Sequence, residues 1–223
     1  MRCSRQDTML EALEITRMHD EATLRWHQDQ PWPDAFTFVS IEPPRAASSY
    51  ASTGLIEVAL AQHRANFDLW HEEDKAREPG VPDSRIAAVK HAIDALNQKR
   101  NDLVEELDRI LLNAAGNQAP NAPLNSETPG LIIDRLSILA LKIYHTSEET
   151  HRQSASEAHR QKNLLRLRLI EEQRADLASC LDLLWSDILA GSRRFKLYRQ
   201  MKMYYDPELN PAIYAHKSSK HTS

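Results

Sequence analysis

Residues 128–145 read TPGLIIDRLSILALKIYH, and this stretch decides the fold class of the chain. Thr128 and Pro129 predict a helix start, because threonine caps helix N-termini and proline fits the first helical position. The apolar side chains that follow cover nearly the whole circumference of a helix. A helix that is apolar on almost every side is expected at the centre of a helical bundle.

Glycine and proline divide the rest of the chain into helices. Both are missing from residues 55–78, 83–115 and 131–190, and each of these runs has helical periodicity. We predict an all-α antiparallel bundle of four long core helices, the last run being divided by the Ser- and His-rich patch at 147–156. An N-terminal helix near 7–28 and a short basic helix at 192–203 complete the predicted fold. Asp83 or Ser84 is expected to cap the third helix, and Gly191 to end the fifth.

The predicted domain is a single bundle over residues 1–215. Within it, residues 29–54 are expected to form an extended connector, because prolines, serines and alanines dominate them. The tail at 216–223 is expected to be disordered.

Composition excludes several classes of protein. The chain has 223 residues, a net charge of −4 and five glycines, and its mean hydropathy is −0.57. No apolar stretch is long enough for a membrane span, and the net negative charge makes nucleic acid an unlikely partner. Cys3 and Cys180 offer neither a disulfide framework nor a metal motif. The first 25 residues contain no secretory signal pattern, so we expect a cytoplasmic protein.

Polar residues interrupt the apolar face of each core helix. On a helical wheel of the second helix, Phe67 and Trp70 share their arc with polar residues, whereas His71 falls on the outer arc. Unpaired charges inside a core cost several kcal/mol, so these polar residues need partners. The interrupting residues are His63, Asn66, Glu73 and Asp74 in the second helix, Asp94, Asn97, Arg100 and Asn101 in the third, Asp134, Arg135, Lys142 and His145 in the fourth, and Gln173 and Arg174 in the fifth.

Antiparallel register predicts where these residues meet. The turn at 78–83 places His63 near Asp94, Asn97 and Arg100, and a return across 116–128 places Asn101 opposite Tyr144. We therefore expect one polar pocket at mid-bundle, formed by His63, Asn97, Asn101, Lys142 and His145.

Five ordered motifs carry a resemblance to a known family. They are LWHEEDKAR at 69–77, IDALNQKRND at 93–102, ETPGLIIDRLSIL at 127–139, LKIYH at 141–145 and YRQMKMY at 198–204. Over about residues 8–214 the chain resembles the bacterial domain-of-unknown-function family 4254. The resemblance implies that the buried polar positions are the family's signature, and it implies no activity.

Two features predict anion binding. The stretch 193–202 contains five basic residues and no acid, and Arg199 and Lys202 in it are suited to phosphate groups. The second feature is the N-terminus of the fourth helix. Gly130 would leave backbone N–H groups accessible there, beside the positive end of the helix dipole.

These observations favour a protein that binds or acts on a small phosphorylated or nucleotide-linked metabolite. His63 or His145 would be the general acid or base, oriented by Asp94 or Asp134. The metal candidates are Glu73 and Asp74, and no cofactor is indicated. The candidate ligand-binding residues are Asn66, Trp70, Asn97, Arg100, Asn101, Arg135, Lys142, Arg199 and Lys202.

Two alternatives stay open. The first is a non-catalytic scaffold whose buried polar network is structural, and which binds a partner enzyme or a second copy of itself. The second is a Mg²⁺-dependent all-α nucleotide pyrophosphohydrolase, suggested by Glu72-Glu73 and by Glu105 with Asp108. The spacing matches that class only in part, because Ala76 stands where a third carboxylate is required.

Overall fold

Five helices make up the computed structural model, which describes residues 10–28, 49–80 and 82–199. The helices are α1 (Ala12–His27), α2 (Ser49–Lys75), α3 (Asp83–Ala115), α4 (Pro129–His151) and α5 (Glu157–Leu189). Within the described residues there is no β-strand, only an isolated bridge between Leu124 and Arg194. The predicted all-α bundle is confirmed.

Local signals set several of the helix ends as predicted. The Thr128 hydroxyl accepts a hydrogen bond from the Leu131 amide at 3.3 Å, and Pro129 occupies the first helical position. Ser156 caps α5 by accepting from the His159 amide at 3.2 Å. The break between α4 and α5 therefore falls inside the predicted 147–156 patch. Gly191 follows α5 with a φ of +73°, a conformation that glycine adopts without strain.

Other helix ends differ from the prediction. Neither Asp83 nor Ser84 caps α3, because the capping position is Pro82 and no side chain bonds there. Asp83 is instead the first helical residue, where its charge complements the helix dipole. α2 ends at Lys75, before the predicted Glu78.

The N-terminal end of α2 lies inside the predicted connector. Residues 49–54 are helical, and Gly54 is accommodated within the helix rather than ending it. Residues 29–48 of the connector lie outside the described residues, as do 1–9 and 200–223. The domain limits 1–215 and the tail at 216–223 therefore stay predictions.

The predicted basic helix at 192–203 is wrong over residues 192–199, which contain no helix. This segment runs alongside the α3–α4 loop: the Arg194 amide donates to the Pro123 carbonyl (3.1 Å) and the Asn125 amide to the Arg194 carbonyl (2.8 Å). Phe195, 1% exposed, packs into the core, and its backbone bonds twice to the Gln118 side chain. These tertiary contacts override the local helix propensity.

The core lies around α4, which packs against each of the other four helices as predicted. α2 with α3 and α4 with α5 form the two antiparallel hairpins. Apolar side chains from all five helices meet in one cluster, and burying each large one stabilises the fold by roughly 1.5–3 kcal/mol. Its most buried members include Ile15, Leu55, Leu107, Leu111, Ile133, Leu136, Leu181 and Trp185.

The register between α3 and α4 differs from the prediction that placed Asn101 opposite Tyr144. Arg100 instead contacts Asp134, and Asp108 contacts Gly130, so α4 is displaced by two to three turns. The prediction assumed a symmetric loop at 116–128. In the structure this loop packs against residues 194–195, and α3 continues past the start of α4.

No helix among the described residues combines the length and the apolar character needed to cross a bilayer.

Candidate functional site

A closed hydrogen-bond network surrounds Asp134 at the centre of the bundle. Its carboxylate is 5% exposed and receives two contacts from Arg100, Nε at 2.9 Å to Oδ1 and Nη2 at 2.7 Å to Oδ2. Asn66 Nδ2 donates at 2.9 Å and Gln62 Nε2 also donates, both to Oδ1. These four donor groups satisfy the buried carboxylate, so the predicted pairing of Arg100 and Asp134 is present. Arg100 itself is half-buried.

His63 belongs to the same closed network. Its Nδ1 lies 2.7 Å from Ser137 Oγ, and its Nε2 lies 2.9 Å from Thr23 Oγ1 and 3.0 Å from the His19 carbonyl. Burial lowers the pKa of His63 to about 3, which keeps the ring neutral at physiological pH. The residue has no exposed surface. Its partners come from α1 and α4, not from α3 as the register predicted.

The N-terminus of α4 is closed by a side chain of the protein. The Gly130 amide donates to Asp108 Oδ1 at 2.7 Å, and the Thr128 hydroxyl donates to Oδ2. Burial raises the pKa of Asp108 to about 6, against the lowering effect of these hydrogen bonds. The anion predicted at this helix end is thus the Asp108 carboxylate. Asp108 was also a candidate Mg²⁺ ligand in the pyrophosphohydrolase alternative. It is 3% exposed and already hydrogen-bonded, so that alternative lacks this ligand.

A histidine cluster, defined here as His27, His71 and His145, lies at the other end of α4. The three side chains come from α1, α2 and α4, and one nitrogen from each lies within 4.8 Å of the others. Trp70 stacks on His145 with centroids 4.8 Å apart, and Tyr144 stacks on His27 at 4.0 Å. Burial lowers the pKa of His71 and the pKa of His145.

Sequence reasoning found His145 and missed the other two members of the cluster. It placed His71 on the outer arc of α2, although His71 follows Phe67 by four residues and is only about 40° from it on a helical wheel. That spacing was the available signal for His71. His27 carried no signal, because only the packing of α1 against α2 and α4 brings it to the cluster.

One cleft lies between the α2–α3 hairpin and α4, with a volume of about 520 Å³. Its cations are neutralised: Arg100 pairs with Asp134, and Arg77 donates to Glu73 Oε2 at 2.9 Å and lies 3.9 Å from Asp74. This cleft brings together five of the predicted site residues, namely Asn66, Trp70, Glu73, Asp74 and Arg100.

The second cleft, which we term the α4–α5 cleft, lies on the other side of Trp70. Its volume is about 490 Å³, and Trp70, Lys142 and His145 of the predicted site line it. Arg166 enters from α5, its Nη1 donating to Asn163 Oδ1 at 3.1 Å. Neither Lys142 nor Arg166 has a carboxylate partner among the described residues.

The acidic side chain of this cleft is already paired. Glu149 lies 3.2 Å from Arg152 and 2.6 Å from His159, two residues outside the cleft lining. Glu149 is therefore engaged by residues outside the cleft lining, whereas Lys142 and Arg166 line the cleft without a carboxylate partner among the described residues.

The remaining predicted residues are dispersed. Asp94 pairs with Lys90, and Asn97 and Asn101 are half-buried on α3 and line neither cleft. Of the five residues expected to converge, only Lys142 and His145 share a cleft.

The remaining basic candidates, Arg135, Arg199 and Lys202, lie in three different places. Arg135 pairs with Glu127 at 2.6 Å, in a cavity of about 570 Å³ that adjoins the α4–α5 cleft through Lys142 and Gln173. Arg199 is exposed in the segment after α5. Lys202 lies outside the described residues.

Comparison with known proteins gave one match. The model of a family described as "Protein of unknown function (DUF4254)" matches residues 56–197. No curated protein matches the chain, and no solved structure does. The matched range includes α3, α4, α5 and α2 from residue 56 onward, and α1 with His27 precedes it.

Proposed function

The chain belongs to the DUF4254 family, and from its geometry we propose that it binds a small anionic organic molecule in the α4–α5 cleft. The observation that carries this proposal is the pair Lys142 and Arg166, two cations that line one cleft without a carboxylate partner among the described residues. A bound anion would supply the missing charge. The neighbouring cleft offers no such charge, because its arginines are paired.

The lining favours a phosphorylated or nucleotide-linked molecule. The Arg166 guanidinium can bind two oxygens of a phosphate, and the Lys142 ammonium supplies a second point of charge. Trp70 and Ile170 provide the apolar wall on which a base or sugar ring can pack. A volume of about 490 Å³ suits a ligand of that size.

The proposal concerns ligand binding and assigns no reaction to the cleft. Of the four residues predicted to act as acid, base or orienting carboxylate, only His145 lines the α4–α5 cleft. His63 and Asp134 lie in the closed network, and Asp94 is paired with Lys90. A reaction at this site would therefore depend on His145 with Glu148, which lies 3.1 Å from its Nδ1.

Titration calorimetry tests the proposal with pyrophosphate, ADP and UDP as probes, on protein dialysed against EDTA. We expect at least one probe to bind, and Lys142→Ala and Arg166→Ala each to weaken it about tenfold or more, since a charge-assisted hydrogen bond contributes roughly 1.5–3 kcal/mol.

Arg168→Ala is the matched control, because Arg168 is exposed on the same helix but does not line the cleft. Equal weakening by Arg166→Ala and Arg168→Ala would indicate general attraction to a basic surface. Absence of binding by all three probes would contradict the proposal for phosphorylated ligands.

Self-association is a second candidate, favoured by exposed leucines on α5. Leu165 and Leu169 are one helical turn apart and 61% and 59% exposed, and Leu183 is 65% exposed. Apolar side chains aligned in this way are typical of a contact surface. Sedimentation equilibrium of the wild type and of Leu165→Glu/Leu169→Glu tests it: a dimer that the double variant dissociates supports self-association, and a monomeric wild type contradicts it.

A further inference from the structure

We propose that the histidine cluster binds a divalent transition-metal ion, with His27, His71 and His145 as its protein ligands. Three imidazoles from three separate helices present nitrogens within 4.8 Å of one another. Imidazole donors favour zinc and its neighbours in the first transition row over magnesium or calcium, which prefer oxygen ligands. The inference goes beyond the proposed anion site and uses neither Lys142 nor Arg166.

Hydrogen bonds fix the tautomer of two of the three rings. His27 Nδ1 lies 2.7 Å from the Thr23 carbonyl, which can only accept, so Nδ1 carries the proton and donates. His145 Nδ1 likewise donates to Glu148 Oε2 at 3.1 Å. In both rings Nε2 is left with its lone pair. A histidine that donates its second ring nitrogen to a carbonyl or carboxylate is the usual arrangement around a protein-bound metal.

The same two Nε2 atoms are buried without a hydrogen-bond partner among the described residues. A buried polar atom without a partner costs roughly 1–3 kcal/mol. A single cation bound through both Nε2 atoms would satisfy them together.

The geometry fits a site with three protein ligands. Tetrahedral zinc at about 2.0–2.1 Å from each nitrogen needs nitrogens roughly 3.3 Å apart, so nitrogens that lie within 4.8 Å of one another must approach by at most about 1.5 Å. His71 makes no hydrogen bond among the described residues, so its ring can rotate toward the other two. Three protein ligands leave the fourth position for water or an added ligand, as in catalytic rather than structural zinc sites.

Glu73 and Asp74 were the metal candidates from sequence, and the structure offers a different donor set. Glu73 accepts from Arg77 at 2.9 Å, and Asp74 lies 3.9 Å from the same guanidinium. Histidine nitrogens replace carboxylates as the donors, which changes the expected metal from a magnesium-like to a zinc-like ion.

Zinc and cobalt titration of the full chain after dialysis against EDTA tests the proposal, with calorimetry for Zn²⁺ and visible absorption for Co²⁺. We expect one ion per chain, and a loss of affinity of at least a hundredfold in His27→Gln and in His71→Gln. Glu148→Ala removes only the acceptor of His145 and should cost about tenfold, as outer partners of metal ligands do. His91→Gln, an exposed histidine on α3, is the matched control and should bind like the wild type.

Three results would overturn the proposal: no binding by the wild type, wild-type affinity in both His27→Gln and His71→Gln, or equal loss in His91→Gln. Circular dichroism of each variant checks folding. Should His27→Gln unfold through loss of its bond to Thr23, His71→Gln still decides the outcome.

The anion proposal and the metal proposal can be contradicted independently of each other. Lys142→Ala and Arg166→Ala are expected to bind zinc like the wild type, and the anion titrations are made on metal-free protein. Zinc binding without anion binding therefore contradicts only the proposed function, and the converse contradicts only the metal site.

Discussion

Two polar regions lie along α4, and they differ in whether their charged groups have partners. Both contain buried atoms without a hydrogen-bond partner among the described residues, Gln62 Oε1 in the closed network among them. In the closed network, Asp134 accepts from Gln62, Asn66 and Arg100, and both ring nitrogens of His63 have partners. About three turns further along, the α4–α5 cleft and the histidine cluster contain two cations without carboxylates and two Nε2 atoms without partners among the described residues.

This difference separates structural polar groups from those available to a ligand. A buried group whose partners are all internal stabilises one arrangement of the helices, and removing its partner leaves a costly unsatisfied group. A group left without a partner is free to bind something else. Burial of polar residues is thus by itself no sign of a binding site, and charged groups without an oppositely charged partner are the better indicator.

The largest expected effect is that of Asp134→Ala in the closed network. It leaves Arg100 and the buried Gln62 amide without their acceptor, and Asn66 Nδ2 with only the Ser137 hydroxyl at 2.9 Å, so we expect the free energy of unfolding to fall by about 3–5 kcal/mol. Urea denaturation measures this. Asp102→Ala removes an exposed carboxylate of α3 and should stay within about 0.5 kcal/mol. Similar losses in the two variants would mean that the network around Asp134 contributes nothing.

Gly130→Ala tests the close contact at the capped end of α4. The added Cβ would lie 2.8 Å from the Val104 carbonyl oxygen and 2.7 Å from Asp108 Oδ1, so overpacking should destabilise the protein by about 1–3 kcal/mol. Gly54→Ala is the matched control, since its Cβ meets nothing within 4 Å.

Because Gly54 lies inside a helix, its replacement should raise stability by roughly 0.5–1 kcal/mol. Thermal melts of both variants give the sign of each change. If Gly130→Ala left the melting temperature unchanged, α3 and α4 would be able to move apart without loss of stability.

The pH dependence of stability should reveal buried groups that act in opposite directions: His63 and its neighbour His19, whose pKa burial also lowers, against Asp108. The pKa of His63 is lowered to about 3, so its contribution is complete above about pH 6.5 and is lost as pH falls, by about 2 kcal/mol at pH 5. The pKa of Asp108 is raised to about 6, so its contribution has the opposite sign: stability is gained as pH falls through 6, by about 1 kcal/mol at pH 5.

Asp108→Asn removes the second contribution alone. Between pH 7 and pH 5 the variant should therefore lose more stability than the wild type, by about 1 kcal/mol, in urea titrations at the two pH values. Parallel pH profiles would show that Asp108 does not titrate in this range.

The smallest effect on stability is expected in the α4–α5 cleft. Lys142 and Arg166 are exposed, and neither pairs with a carboxylate among the described residues, so Lys142→Ala and Arg166→Ala should each change the free energy of unfolding by less than about 0.5 kcal/mol. A loss above about 1 kcal/mol in either variant would place that residue with the structural groups and remove the contrast between the two regions.

The two histidines predicted for one pocket illustrate what the sequence could and could not supply. His63 and His145 both interrupt apolar faces, and that pattern correctly indicated that they lie inward. It could not tell that His63 bonds to Thr23 and Ser137 whereas His145 lines a cleft. That distinction depends on the rotation and register of α1 and α4, which the helical wheel of α2 does not contain.

The sequence by itself determined the five helices, their breaks at Pro129, 147–156 and Gly191, and the central place of α4. These follow from local physics, because caps, breakers and the 3.6-residue period act within a few residues along the chain. The irregular course of residues 192–199 and the register of α3 against α4 were decided by tertiary structure. Phe195 gains more by entering the core than its segment gains from a helix, and Asp108 fixes the start of α4 from another helix. The histidine cluster has the same origin, since its three members are distant in sequence and meet only when α1, α2 and α4 pack.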